Sequence, residues 1–218
     1  MAASAPQPQF VEIVGRRSSL FTRVAAIFAE TLRVPWRLTH IADMTVLDGA
    51  TYADNPALKL PVLRIDGHVV FGTENICRAL AAKSAEDRPV HAVWTEDLPD
   101  HVSRNAQELV WHCMAAQVQL VMGTVIAGLP ADSPFFVKTL TGLEASLAWL
   151  NRNVDQVVAV LPAGRHISLF ETTLFCLIEH LSFRPTVSLA GYPQLGSFAT
   201  SFGTMEAARA TSFTFEPT

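Results

Sequence analysis

The chain has 218 residues, half of them hydrophobic, with 16 basic and 20 acidic side chains and a net charge of -4, enough apolar material for one large core or two smaller ones. The acidic balance leaves no electrostatic footprint for nucleic acid. No uncharged apolar run is expected to reach the ~18 residues of a membrane helix, so no membrane partner is expected either.

MAASAPQPQ, residues 1–9, is small, polar and proline-containing, without a basic start or an apolar run, and is expected to be a disordered tail. Phe10 to Val14 then reads as a short strand. Arg17-Ser18-Ser19 leads into LFTRVAAIFAETL, where Leu20, Val24, Ile27, Phe28 and Leu32 make one apolar face at helical spacing. Further on, Val62, Leu63 and Ile65 are β-formers, Asp66-Gly67 is a tight-turn pair, and His68 to Phe71 continues as a second strand, so the unit reads as a β-hairpin. Pro61 opens that hairpin and is a candidate for the cis isomer. Thr73 is the expected N-cap of a helix with Ile76, Cys77, Leu80 and Ala81 at helical spacing. A helix start also favours anions.

After the polar, helix-breaking stretch from Ala82 to Pro89, strand signals fade. Long apolar-periodic segments follow at about Leu98 to Ile126, Phe135 to Val154 and Ser168 to Phe183, and Tyr192-Pro193 opens a last helix. The expected layout is therefore a tail over 1–9, a mixed α/β domain over 10–82, a linker and helical start over 83–97, and an all-helical domain over 98–218. Ser168 and Glu171 stand at capping-box spacing and are expected to serve folding. Cys77, Cys113 and Cys176 sit in helical apolar patterns, the usage of buried free thiols in a reducing, cytoplasmic compartment. CxxC and HExxH are absent, no metal or bound cofactor is expected, and the scattered histidines carry no assigned role.

The order Asn55-Pro56, then Leu60-Pro61-Val62-Leu63, Asp66-Gly67, a strand, and Thr73 opening a helix that runs Ile76-Cys77-Arg78-Ala79-Leu80 resembles the glutathione-binding half of the cytosolic glutathione transferases. The amino-terminal turn is most similar to the zeta-like class of that family, matching at Arg17, Ser18, Ser19, Arg23 and Val24, with Leu20 where that class has cysteine. The resemblance implies a thioredoxin-like α/β domain followed by a helical bundle. It also implies a catalytic Ser18, glutathione contacts at Ser19, Leu60, Pro61, Val62, Gly72, Thr73 and Glu74, and an acceptor pocket bordered by Phe21, Trp111 and Met114. Residues 207–215 resemble the family's terminal segment, which returns toward the first domain. A homodimer is expected by the same resemblance.

The chemistry such a site must supply is modest. A thiol with a pKa near ~8.5 is mostly protonated at neutral pH, whereas the thiolate is the nucleophile. A serine hydroxyl at a helix start offers both a hydrogen bond and a positive helix end. One charge-assisted hydrogen bond contributes roughly 1.5 to 3 kcal/mol, about one to two pKa units. One departure matters: relatives place Glu, Asp or Gln immediately before the helix-opening residue, to hold the peptide's amino group, and here Gly72 deletes that contact. The resemblance thus implies a detoxifying glutathione transferase acting on a small, largely apolar electrophile. The alternatives are a binding or interaction protein of the same fold without turnover, or a glutathione-dependent isomerase or dehalogenase.

Overall fold

The computed structural model describes residues 10–215, so the expected tail over 1–9 lies outside the described residues. The described residues divide into two compact units, one holding 10–90 together with 210–215, the other spanning 91–209.

The first unit is a four-stranded mixed sheet with helices. Strand β1 (Val11–Gly15) runs parallel to β2 (Trp36–His40) and antiparallel to β3 (Val62–Ile65), which in turn pairs antiparallel with β4 (His68–Phe71), giving the order β2-β1-β3-β4. Helix α1 (Leu20–Thr31) links β1 to β2, and α2 (Thr73–Ala85) follows β4. The apolar face expected of α1 is its buried face: Leu20, Val24, Ile27, Phe28 and Leu32 are each no more than 1% exposed. Asp66 and Gly67 both take positive φ, 49° and 78°, the primed two-residue turn that suits the twist of a hairpin. A second small core forms where Val14, Ile41, Tyr52, Ala53 and Val62 pack together, with Met44, Leu58 and Leu60 against them.

The second unit is helical apart from a two-residue parallel ladder, β5 (Ala92–Val93) with β6 (Ile167–Ser168). Helix α3 (His101–Leu120) continues into a π-helical run, Val121–Ile126, and packs against α4 (Pro134–Ala159) and α5 (Leu169–Phe183). Two helices follow rather than the single last one expected, α6 (Pro193–Phe202) and the short α7 (Glu206–Ala210). Asn151 of α4 starts α6 from outside, its Oδ1 accepting the backbone N–H groups of Gln194 at 2.9 Å and Leu195 at 3.2 Å.

The expectation that no uncharged apolar run reaches membrane-helix length does not hold. Residues 109–131 carry no charge, and His101–Ile126 has the length and hydropathy of a membrane span by composition alone. Its buried side includes Gln107 and Gln117, and the helix packs against α4 and α5. Gln117 donates to His180 Nδ1 at 3.2 Å and to the Arg184 carbonyl at 2.9 Å, and accepts from the Thr186 hydroxyl. Such a satisfied polar cluster belongs to a protein core.

Candidate functional site

The sheet register gathers the expected site residues at one end. Val14 lies opposite Val62, and Val62 lies opposite Phe71. The end of β1 leading to the serine turn, the start of β3 after Leu60-Pro61 and the end of β4 leading to Gly72-Thr73 are therefore neighbouring rows. Adjacent strands lie about 4.8 Å apart, so roughly 10 Å separates the β1 row from the β4 row. That is the length of about three extended residues.

At the β1 end, the turn is tied tightly to α1. A side chain at Gly15 would put its Cβ 2.5 Å from Thr22 Oγ1, so only glycine allows this approach. Ser19 N–H donates to the Arg16 carbonyl at 3.2 Å, closing the turn. Ser19 is the N-cap of α1, its hydroxyl oxygen accepting the Thr22 N–H at 3.2 Å. Ser18, 8% exposed, precedes the cap and is not its acceptor. Leu20, at the position of the zeta-like cysteine, is 1% exposed and belongs to the core. Phe21 is half-buried on the same helix.

The central row is shaped by a side chain that the sequence pattern contains without explaining. Asn55 is buried and spans its own loop, its Nδ2 donating to the Lys59 carbonyl at 2.8 Å while Oδ1 accepts the Ala57 N–H at 3.0 Å. This Asx-type bracing fixes the approach to Leu60. The Leu60-Pro61 peptide bond is cis. Val62 is the first rung of β3, in register with both neighbouring strands, whereas Leu60 precedes the ladder.

At the β4 end the expected cap moves by one residue. Gly72, not Thr73, is the N-cap of α2; it takes φ 84°, and its carbonyl accepts the Ile76 N–H at 2.9 Å. A positive φ favours glycine, which gives this residue a backbone reason independent of any ligand. Thr73 is the first helical residue and half-buried, so its N–H and those of the next two residues are the orphan donors of the helix start. Glu74 is turned along the helix, its carboxylate held by Arg78 at 2.7 and 3.1 Å.

The remaining candidates lie in the second unit. Trp111 is half-buried on α3, and Met114 is fully buried. Cys113 beside it is also buried, and loss of hydration pushes its thiol up to about 12, so it is an inert packing group. All three cysteines are buried free thiols. Among the described residues no group of three or more potential metal ligands comes together.

Residues 18–83 match the family model of the glutathione S-transferase N-terminal domain. No curated protein matches the sequence. Solved structures match over nearly the whole length of both chains. A glutathione S-transferase from Methylobacillus flagellatus with GSH bound is 20% identical, covers 94% of this chain and 100% of its own, and has a TM-score of 0.71. One from Methylobacterium radiotolerans in complex with glutathione sulfonate is 18% identical, with coverages of 96% and 98% and a TM-score of 0.70. A glutathione transferase family member from Pseudomonas fluorescens with bound glutathione is 18% identical, with coverages of 94% and 100% and a TM-score of 0.72. At these identities the likeness is one of fold.

Proposed function

We propose that this chain, whose residues 18–83 form a glutathione S-transferase N-terminal domain and whose fold is that of the glutathione transferases, is itself a serine-type glutathione transferase. The observation that carries the reading is the register Val14–Val62–Phe71, which lines up the serine turn, the Leu60 row and the head of α2 at one sheet end over a tripeptide's length. An extended thiol tripeptide laid across that end meets a different group in each row. Its sulfur reaches the serine turn, its backbone the Leu60 row, and its γ-glutamyl carboxylate the orphan N–H groups and Thr73 hydroxyl at the start of α2.

Ser18 is the proposed activator of the thiol. The family resemblance is what assigns the sulfur to Ser18; Ser19 accepts the Thr22 N–H at the helix cap and keeps its own O–H as a donor, so the two single-serine variants below distinguish them. A donated hydrogen bond from Ser18, with the positive end of α1, holds the thiolate and lowers the thiol pKa. The thiolate then attacks the electrophilic carbon of a small, largely apolar substrate, forming the carbon–sulfur bond as the leaving group departs with its electron pair. The assembly is proposed to be a homodimer, as the family resemblance implies. The three buried free cysteines fit a reducing compartment such as the cytoplasm.

The test is turnover of a panel of electrophiles by the purified chain with glutathione, alongside two single-serine variants. Ser18→Ala is expected to lower glutathione-dependent kcat/KM by about ten- to a hundredfold, the equivalent of one charge-assisted hydrogen bond. Ser19→Ala is expected to lower stability by about 0.5 to 2 kcal/mol, with the smaller effect on turnover. A larger kinetic loss in Ser19→Ala than in Ser18→Ala would reverse the assignment. No heat of binding and no turnover at millimolar glutathione would leave only the fold.

A further inference from the structure

The end of the described chain, residues 211–215, plays no part in the chemistry above, yet it seats an aromatic ring on α1. The Arg23 guanidinium carbon lies 4.4 Å from the centroid of the Phe213 ring, well inside the roughly 6 Å range of a cation–π contact. Arg23 is only 4% exposed, and desolvation is the condition under which such a contact is strongest. Phe213 itself is half-buried, and Thr211 anchors the segment at 9% exposure.

The residue so clamped is part of what holds the serine turn. Arg23 N–H donates to the Ser19 carbonyl at 3.1 Å, its neighbour Thr22 donates its N–H to Ser19 Oγ at 3.2 Å, and Thr22 Oγ1 accepts the Arg16 N–H at 3.5 Å. Gly15 closes against Thr22 from the strand side. Thr22 and Arg23 thus grip both ends of the turn from Arg16 to Ser19. Helical side chains lean toward the N-terminus, so Arg23 covers the face of the turn before it, that of Ser19.

We propose that Phe213 is a positioning residue for the thiol-activating turn: through Arg23 it fixes the first two turns of α1, and with them the Ser18 hydroxyl. The inference rests on the serine-activated thiol proposed above. A displacement of about 1 Å at a reacting group can cost on the order of a hundredfold in rate. Affinity for the tripeptide is set in the Leu60 row and at the head of α2, so loss of the clamp lowers kcat and leaves KM for glutathione in place.

The experiment uses the full chain and the variants Phe213→Ala, Phe213→Trp and Thr214→Ala, with kcat and KM measured for glutathione and an electrophile that the unaltered protein turns over. Phe213→Ala is expected to lower kcat by about five- to thirtyfold with KM for glutathione within about twofold, and Phe213→Trp to restore most of the loss, because indole is the best cation–π face. Thr214, the exposed next residue, serves as the neighbouring control, and its truncation should change neither constant. An unchanged kcat in Phe213→Ala overturns the proposal. So does a parallel loss of kcat, KM and melting temperature that tryptophan does not rescue, since the segment then only tethers the fold. If the unaltered protein shows neither turnover nor a glutathione-induced thermal shift, the thiol reading itself fails, and the positioning role falls with it.

Discussion

Gly72 shows how one backbone angle decides between two explanations of a residue. From the sequence, glycine there looks like a lost ligand contact, because relatives carry Glu, Asp or Gln; in the structure its φ of 84° is a conformation that side chains adopt only with strain. Space is not the obstacle, since an added Cβ would meet only Asn75 Cβ at 3.9 Å. Gly72→Glu therefore separates the two effects. The strain weighs on folding, by about 1 to 3 kcal/mol, whereas a contact with the amino group of the proposed glutathione ligand would act on binding, by roughly 1.5 to 3 kcal/mol. The expected outcome is a lower melting temperature without ligand and a glutathione Kd tighter by about ten- to a hundredfold. Calorimetry beside a thermal melt reads both; a less stable variant with unchanged Kd would show that the side chain does not reach the ligand. Glu74 does not substitute for it, because Arg78 already holds its carboxylate along the helix.

Helix ends carry the same lesson at the level of elements. Ser168 caps α5, its hydroxyl oxygen accepting the Glu171 N–H at 3.4 Å, so this half of the expected capping box is present. The returning half is not: the Glu171 carboxylate is taken by Arg165, with Nε–Oε2 at 2.7 Å and Nη2–Oε1 at 2.6 Å. The Arg165 guanidinium presents a fork that matches both carboxylate oxygens, a stronger pairing than one backbone N–H offers. The spacing from Ser168 to Glu171 was legible in the sequence, but the competitor was not, since nothing in the run from Arg165 to Glu171 announces an ion pair. The two arrangements differ in what glutamine does. In a capping box Gln replaces Glu, whereas a bidentate pair with arginine loses its charge. Glu171→Gln is thus expected to lower stability by about 0.5 to 2 kcal/mol, comparable with the ~0.5 to 2 kcal/mol expected for Ser168→Ala. A denaturant melt of each variant checks this, and a neutral Glu171→Gln would restore the box.

For the molecule as a whole, what the sequence reveals and what it hides divide by the distance over which residues meet. The periodicity of Leu20 to Leu32 and the hairpin around Asp66-Gly67 are local, and both elements stand where the pattern puts them. Arg23 with Phe213, Gln117 with His180, and Glu12 with Arg64 join parts of the chain far apart, and no local period encodes them. Glu12 makes that long-range tie testable. It sits on β1 in register with Arg37 of β2 and Arg64 of β3, lies 3.9 and 3.3 Å from their guanidinium nitrogens, and accepts the Thr39 hydroxyl. The Thr39 hydrogen bond first, and then Arg64 and Arg37, hold its carboxyl below the usual glutamate range. A carboxyl whose folded pKa is depressed binds its proton more readily in the unfolded chain. Its ionised form therefore stabilises the fold above the ordinary value near ~4.3, and that contribution is lost as pH falls from there through the folded pKa. Asp43 and Asp100 are lowered as well, by hydrogen bonds from Thr45 and Ser103, so the pH curve of the unaltered protein alone does not isolate Glu12. The difference between that protein and Glu12→Gln does, because the other carboxylates cancel. The gap in melting temperature should be widest near pH 7 and close steadily below about pH 4.3; a gap independent of pH would mean that Glu12 contributes packing across the three strands and no charge.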